Sequence, residues 1–491
     1  MKKLSSLFIL CLLNCLPLPP AQAQNKVTID WNKTTGVSKT TPTLQVVVNP
    51  MLKRNAPIHA GSFTALKEMK GEYVRFVPWF PYPHAAVAEL KEPSKTETFW
   101  DFSHADPYVQ DFMEATKGHA VVMNFSTIPV WMFKNNKPVE VPSDPDQVFW
   151  DYNPGRELRD TTMKELTGYF SRLFSWYTKG GFTDELGKFH ASGFHYIFPY
   201  WEVLNEPDLE HRISPQLYTK MYDAIVPELK KISPATKFVG ISVAYETNPD
   251  WFEHFLNPKN HRPGVPLEGI SYHFYARPSS PDQSSDGWQY SFFDQAEGFL
   301  DRVRYIENIR KRLAPGVFTQ INEIGSIIAN RDYTGVIPPE YWNLSGAMYA
   351  YVFLQLTKLG IDVAGESQLV GYPTQFPDVS MMNWKNGQPN ARYWVLKLLR
   401  DHIGPGDSLQ TTSVNTPDIA AQAFITGGRR KLLLINKRNK EVRLDLPADV
   451  TSGQVQYVDV STGENPVAQR PLTTNAITVT PFSVTVITIN R

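Results

Sequence analysis

The chain has 491 residues, with 49 Lys and Arg against 49 Asp and Glu. Balanced charge without long basic runs or acidic tails argues against nucleic acid or an anionic membrane surface as partner, and fits a neutral ligand. The length exceeds one ordinary domain and suits a barrel of roughly 250 residues or more with a smaller companion.

Residues 1–23 combine Lys2 and Lys3, the apolar run SLFILCLL and the small-residue end Ala21-Gln22-Ala23. This is the pattern of a secretory signal cleaved before Gln24, too short and wrongly flanked to anchor the chain in a membrane. Export to the periplasm or beyond is expected. Cys11 and Cys15, the only cysteines, fall inside it. The exported chain then has no thiol for a disulfide, a nucleophile or a metal.

KVTIDWN and TLQVVVNP read as two strands around a Thr-rich turn, so residues 24–50 are expected to join a C-terminal β-domain. The barrel is expected to span residues 51–403, beginning near Pro57 to Phe63 with IHAGSF, a short helix ALKEMKG and a second strand YVRFVPW. Arg75 lies inside that strand, and an arginine in an apolar strand must be paired. The loop from Trp79 to Ala85 offers Trp79, Tyr82 and His84 as flat faces for a ligand, against the alternative of packing beneath the rim. DPYVQDFMEATKG reads as a helix ending in a Gly cap, and HAVVMNFSTIP as a third strand whose tip is straddled by Asn124 and Trp131. The proline-bearing segment Lys134 to Gly155 has no periodicity and reads as the largest insertion on the ligand side. A helix from Thr161 to Lys179 carries an apolar stripe at helical spacing.

HYIFPYWEVL, rich in aromatic and β-branched residues, reads as a fourth strand stopped by Asn205-Glu206-Pro207. Glu206 then stands at a strand's C-terminal tip, where parallel barrels assemble their sites, with Asn205 beside it as an amide for a polar ligand. The alternative is a helix-capping Asn and a solvated Glu. A helix from Ser214 to Ile232, with Pro215 in its first turn, and a fifth strand KFVGISVAY follow. In the sixth strand, Gly269 to Ala276, His273 and Tyr275 are two apart and share a side. Trp288 falls in the polar loop SSPDQSSDGWQ, read as a lid, before a helix from Phe292 to Leu313. VFTQINEIGS is a seventh strand ending in Glu323, and helix seven runs from Pro339 to Leu359. IDVAGESQLV is an eighth strand with Glu366 near its end; Trp384 sits in MMNWKNGQPNARYW, and a last helix runs from Asn390 to Asp401. GPGD at Gly404 marks the boundary to residues 404–491, whose short alternating strands read as a β-sandwich.

Two glutamates at strand tips on one rim, Glu206 and Glu323, are placed to face each other across a sugar, the arrangement glycoside hydrolysis requires. Glu366 is the rival carboxylate, ranked lower because strand eight adjoins strand one rather than opposing strand four. No HExxH or carboxylate–histidine cluster suggests a metal, and no cofactor motif occurs.

The NEP after strand four and the glutamate after strand seven resemble clan A retaining glycoside hydrolases, closest to family 39, the β-xylosidase and α-L-iduronidase family. That family usually reads WNEP and places Trp after the second glutamate, where this chain has Leu204 and Ile324. The resemblance implies a (β/α)8 TIM barrel with an accessory C-terminal β-sandwich. It implies Glu206 as acid/base and Glu323 as nucleophile. Arg75 and Tyr275 would contact Glu323, His273 would lie near Glu206, and Trp384 would be a rim Trp under the sugar. An oligosaccharide or glycoside, of plant or algal origin and cleaved from its end, is the implied substrate. The alternatives are an endo-acting polysaccharide hydrolase of the same clan and a catalytically dead carbohydrate-binding barrel.

Overall fold

Eight parallel strands close into a barrel in a computed structural model of the protein, which describes residues 25–135, 139–328, 336–372 and 377–490. The stretch read as a signal, residues 1–23, lies outside the described residues. In chain order the strands are Thr41–Val48, Val74–Pro78, Val121–Asn124, Tyr200–Glu202, Lys237–Val243, Gly269–Ala276, Phe318–Ser326 and Val363–Glu366. The eighth pairs with the first from Val363 opposite Thr41 to Glu366 opposite Leu44, which closes the ring. Helices alternate with the strands: His59–Met69, Asp106–Ala115, Lys164–Thr178, Pro215–Ile232, Asp250–Phe255, Ser285–Leu313, Tyr341–Leu359 and Ala391–His402. No helix among the described residues is long and apolar enough to cross a membrane.

The barrel's start corrects the sequence reading. TLQVVV is its first strand and does not join the C-terminal domain, and IHAGSF belongs to the first helix. From Pro42 onward every residue of Thr41–Val48 is buried, the signature of a parallel strand covered on both faces. Gly61 enters that helix despite poor propensity because the helix closes on backbone: a Cβ there would lie 2.3 Å from the Gly387 carbonyl oxygen. Trp288 is likewise no part of a lid. Ser284 accepts a hydrogen bond from the Gly287 amide and caps the sixth helix, and Trp288 is buried against Phe292 and Tyr341.

The other N-terminal strand, Val27–Val37, does pair with Ser408–Val414 and edges a seven-stranded antiparallel sheet. A two-stranded sheet, Val442–Asp445 with Ala476–Val479, covers that sheet's outer face. Alternation along Arg429–Asn436 shows both faces at work. Leu432 and Leu434 pack into the domain's own core, whereas Leu433 and Ile435 join the barrel core. The seventh helix is therefore buried on nearly every side, between the barrel and this sheet.

Candidate active site

Polar side chains crowd the C-terminal half of an otherwise apolar barrel, and they are organised around one cation. Arg75, 1% exposed, uses every donor of its guanidinium. Nε donates to Glu202 Oε2 at 2.6 Å, Nη1 to Gln45 Oε1 at 2.7 Å and to Glu323 Oε1 at 2.6 Å, and Nη2 to Asn205 Oδ1 at 2.5 Å and Ser242 Oγ at 3.2 Å. A rigid planar fork with five donors can hold five side chains, from strands one, four, five and seven and the turn after strand four, in one geometry; a flexible ammonium cannot. Glu202 is the fixed counter-charge. It also accepts from Asn124 Nδ2 at 2.6 Å, Ser271 Oγ at 2.5 Å and Asn322 Nδ2 at 2.7 Å. Burial works to raise its pKa, but Arg75 and these donors outweigh it and hold the carboxyl below the usual range, so Glu202 is ionised.

Two strand irregularities aim the remaining groups. In strand seven a bulge between Ile321 and Glu323 turns both Asn322 and Glu323 toward the interior, which strict alternation forbids. In strand five a bulge at Ser242 coincides with positive φ at Ile241 (73°) and Ser242 (49°). For a β-branched isoleucine that conformation is strained, and such strain concentrates at functional sites. Its result is that the Ser242 carbonyl accepts from the Glu206 amide at 2.8 Å while the hydroxyl faces Arg75 and, at 3.3 Å, His273 Nε2. The Asn205-Glu206-Pro207 turn carries φ of 63° at Leu204 and 43° at Glu206, and Asn124 Nδ2 holds the Leu204 carbonyl at 2.9 Å.

Glu206 and Glu323, each 6% exposed, line one cavity of about 530 Å³. One carboxylate oxygen of each and a ring nitrogen of His273 lie within 4.8 Å of one another. Their environments differ. Glu323 receives Arg75 on Oε1 and the Tyr275 hydroxyl on Oε2 at 2.6 Å, and burial with the Glu323 charge keeps that phenol protonated. Among the described residues no arginine bonds to Glu206; His273 Nδ1 reaches it at 2.9 Å. Burial raises the Glu206 pKa, His273 resists, and the charge of Glu323 pushes it further up. His273 itself is lowered by burial but raised more strongly by the two glutamates. A metal ion would fit the spacing of these three residues, but their candidate ligating atoms are already engaged in hydrogen bonds: His273 Nδ1 with Glu206, and both Glu323 oxygens as acceptors from Arg75 and Tyr275.

Of the sequence-derived site residues, Arg75, Asn205, Glu206, His273, Tyr275 and Glu323 meet in this network, and Trp79 lines the cavity. Three others are not cavity-lining. His84 Nε2 is bound to the Pro142 carbonyl at 2.8 Å beside His104. Trp131 donates to the Glu89 carbonyl at 2.9 Å and lies under Arg159. Trp384 packs against the barrel core. Tyr82 is buried behind the wall against Tyr372. The sequence reading missed Glu202, Gln45, Ser242, Ser271 and Asn322, although the rule that a charge in an apolar strand must be paired applies to Glu202 as it does to Arg75. It also missed Glu210 and Tyr372 on the wall, the latter 6.1 Å from Trp79 and stacked on it. Residues 150–153 of the long insertion line the cavity as well.

Glu366 serves a different purpose. It is buried and accepts from Arg392 Nε at 2.9 Å, while the same guanidinium holds the Val379 and Ser367 carbonyls, so the pair ties strand eight to the last helix. Glu366→Ala leaves that arginine without its counter-charge and is expected to cost about 3–5 kcal/mol of stability. The folded fraction should keep its catalytic constants; denaturant unfolding beside steady-state kinetics checks both, and a folded but inactive variant would return Glu366 to the site.

The architecture is thus a closed (β/α)8 barrel with a C-terminal antiparallel domain and a polar site at the strand tips. No family model matches the sequence, and no curated protein does. Among solved structures the fold is similar to the GH51 arabinofuranosidase from Xanthomonas axonopodis pv. citri (13% identity, 95% of this chain and 100% of that one, TM-score 0.63). It is also similar to a family 51 α-L-arabinofuranosidase from Bifidobacterium longum (12%, 95% and 100%, TM-score 0.64) and to a GH30 endoxylanase from Clostridium papyrosolvens (14%, 95% and 100%, TM-score 0.58). These neighbours are clan A glycoside hydrolases, and likeness at such identity is likeness of fold.

Proposed function

We propose that the chain is a retaining glycoside hydrolase in which Glu206 is the acid/base and Glu323 the nucleophile. The observation that carries this is the pair of buried carboxylates approaching within 4.8 Å. Retaining enzymes keep their carboxyl groups about 5–5.5 Å apart, while inverting ones need roughly 6.5–9.5 Å to admit a water. The unequal surroundings support the assignment of roles. Arg75 and Tyr275 orient Glu323 and stabilise its charge for attack on the anomeric carbon. Glu206, raised by burial, keeps its proton to a higher pH than an ordinary carboxyl and gives it to the glycosidic oxygen as the bond to the leaving group breaks. Activity is then lost as pH rises through that value. Once Glu323 is esterified its charge is gone, and with it one cause of the raised Glu206 pKa. Glu206 ionises more readily and takes a proton from the water that releases the sugar.

The family 39 likeness supports action at the end of a sugar chain, and the cavity of about 530 Å³ offers room for a sugar. The activities named for the fold relatives, arabinofuranosidase and endoxylanase, together with the family 39 likeness, make pentosides from plant polysaccharide the first substrates to try. The N-terminal stretch supports an exported enzyme. The test is hydrolysis of a panel of 4-nitrophenyl pentosides and hexosides, with and without chelator. Cleavage that survives chelation and disappears in Glu323→Ala is expected. A flat panel with measurable sugar binding would mark a binding barrel, and activity that a divalent cation restores after chelation would mark a metal centre.

A further inference from the structure

The two donors that hold Glu323 are themselves joined behind it. Arg75 Nη1, which gives one hydrogen bond to Glu323 Oε1, gives another to Gln45 Oε1 at 2.7 Å. Gln45 Nε2 donates in turn to Ser367 Oγ at 2.6 Å, and Ser367 Oγ lies 2.5 Å from the Tyr275 hydroxyl that binds Glu323 Oε2. Five side chains thus close a ring through the two oxygens of one carboxylate. Ser367 is anchored on both sides of its Cα: its amide donates to the Ile324 carbonyl at 2.9 Å, and its carbonyl accepts from Arg392. Gly325 permits the close approach, since a Cβ there would lie 3.0 Å from the Tyr275 ring and 3.2 Å from the Ser367 carbonyl oxygen.

The direction of every bond in the ring follows from Arg75. A guanidinium only donates, so Gln45 must turn its carbonyl oxygen to it and its amide nitrogen to Ser367. Ser367 Oγ, accepting from that nitrogen, spends its own proton on the Tyr275 oxygen, and the phenol gives its proton to the Glu323 carboxylate, which only accepts. With Gln45 reversed, Ser367 would donate to Gln45 and accept from Tyr275, and Glu323 would lose a donor. Ser367 is fully buried and does not line the cavity, so it meets no substrate. We propose that Ser367 is a positioning residue for the nucleophile: oriented by Gln45, its hydroxyl donates to the Tyr275 oxygen, commits the phenol proton to Glu323 and so fixes the attacking carboxylate before a sugar binds. This rests on the glycosidase reading and concerns how the nucleophile of that reaction is held. The bond from Ser367 also opposes the rise that burial gives the Tyr275 pKa, which makes the phenol a stronger donor.

The test is a double-mutant cycle on the full-length protein, read as kcat/KM for a 2,4-dinitrophenyl glycoside of the preferred sugar, whose good leaving group keeps weak variants measurable. Tyr275→Phe should lower kcat/KM by about 10- to 100-fold, and Ser367→Ala by about 5- to 20-fold. In the Tyr275→Phe background, Ser367→Ala should cost less than about two-fold more, because the hydroxyl has no oxygen left to donate to. A serine that only packs the end of strand eight costs the same factor in both backgrounds. Equal factors, or an unaltered kcat/KM in Ser367→Ala, overturn the proposal. Should Ser367→Ala fail to fold, Ser367→Cys, similar in shape but a much weaker donor, takes its place in the cycle with the same outcomes. If the unmodified protein cleaves no glycoside, the glycosidase reading falls and this proposal with it; an active enzyme whose losses multiply overturns the positioning role alone.

Discussion

Glu323→Ala should lose turnover on every glycoside by on the order of 10⁴-fold or more, whatever the leaving group, because no other group can form the glycosyl-enzyme. The loss is chemical rather than structural. Arg75 keeps Glu202, Gln45 and Asn205 when Glu323 is removed, so its buried charge stays balanced. Thermal unfolding should therefore move little beside the kinetic effect. Added azide should restore cleavage of an activated aryl glycoside by attacking the anomeric carbon from the vacated side, giving a glycosyl azide of inverted configuration. Retained azide product from this variant would assign the nucleophile elsewhere.

Glu206→Ala should fail differently. Glycosides with a poorly acidic leaving group should lose about 10²–10⁴-fold, since the departing oxygen no longer receives a proton. An aryl glycoside with an acidic phenol needs no such help, so glycosylation of Glu323 should proceed and its hydrolysis should become limiting. Azide then attacks the intermediate and yields a product of retained configuration. The signature is a burst followed by an azide-dependent steady state. If activated and natural substrates suffer equally and azide has no effect, Glu206 is not the acid/base.

The site was legible where the chain puts a polar residue into an apolar run and then breaks it. Glu206 before Pro207, Glu323 before Gly325, Arg75 within YVRFVPW and the His273/Tyr275 pair each violate a strand's local logic, and all converge. Glu202 obeys the same rule but sits four residues before a more conspicuous glutamate. Asn322 and Ser242 were beyond reach because bulges turn them, and a bulge has no reliable mark in one sequence. The loop aromatics were the weakest inference. Trp79 faces the cavity while Trp131 and Trp384 pack away from it, since loop side chains are aimed by tertiary contacts that composition does not encode. The first barrel strand was misplaced for a related reason: its near-continuous burial was visible in TLQVVV, but its early position beside an edge strand of the other domain favoured the wrong partner.

Reaction with an activated 2-deoxy-2-fluoro glycoside of the preferred sugar, followed by mass spectrometry of the protein and its peptides, tests the central claim most directly. The fluorine slows both steps, and the good leaving group lets the first outrun the second, so a covalent intermediate accumulates if one exists. The account predicts one sugar adduct per chain, carried by the peptide containing Glu323 and absent from Glu323→Ala. Turnover with no adduct, or an adduct on Glu206 or Glu210, would contradict it.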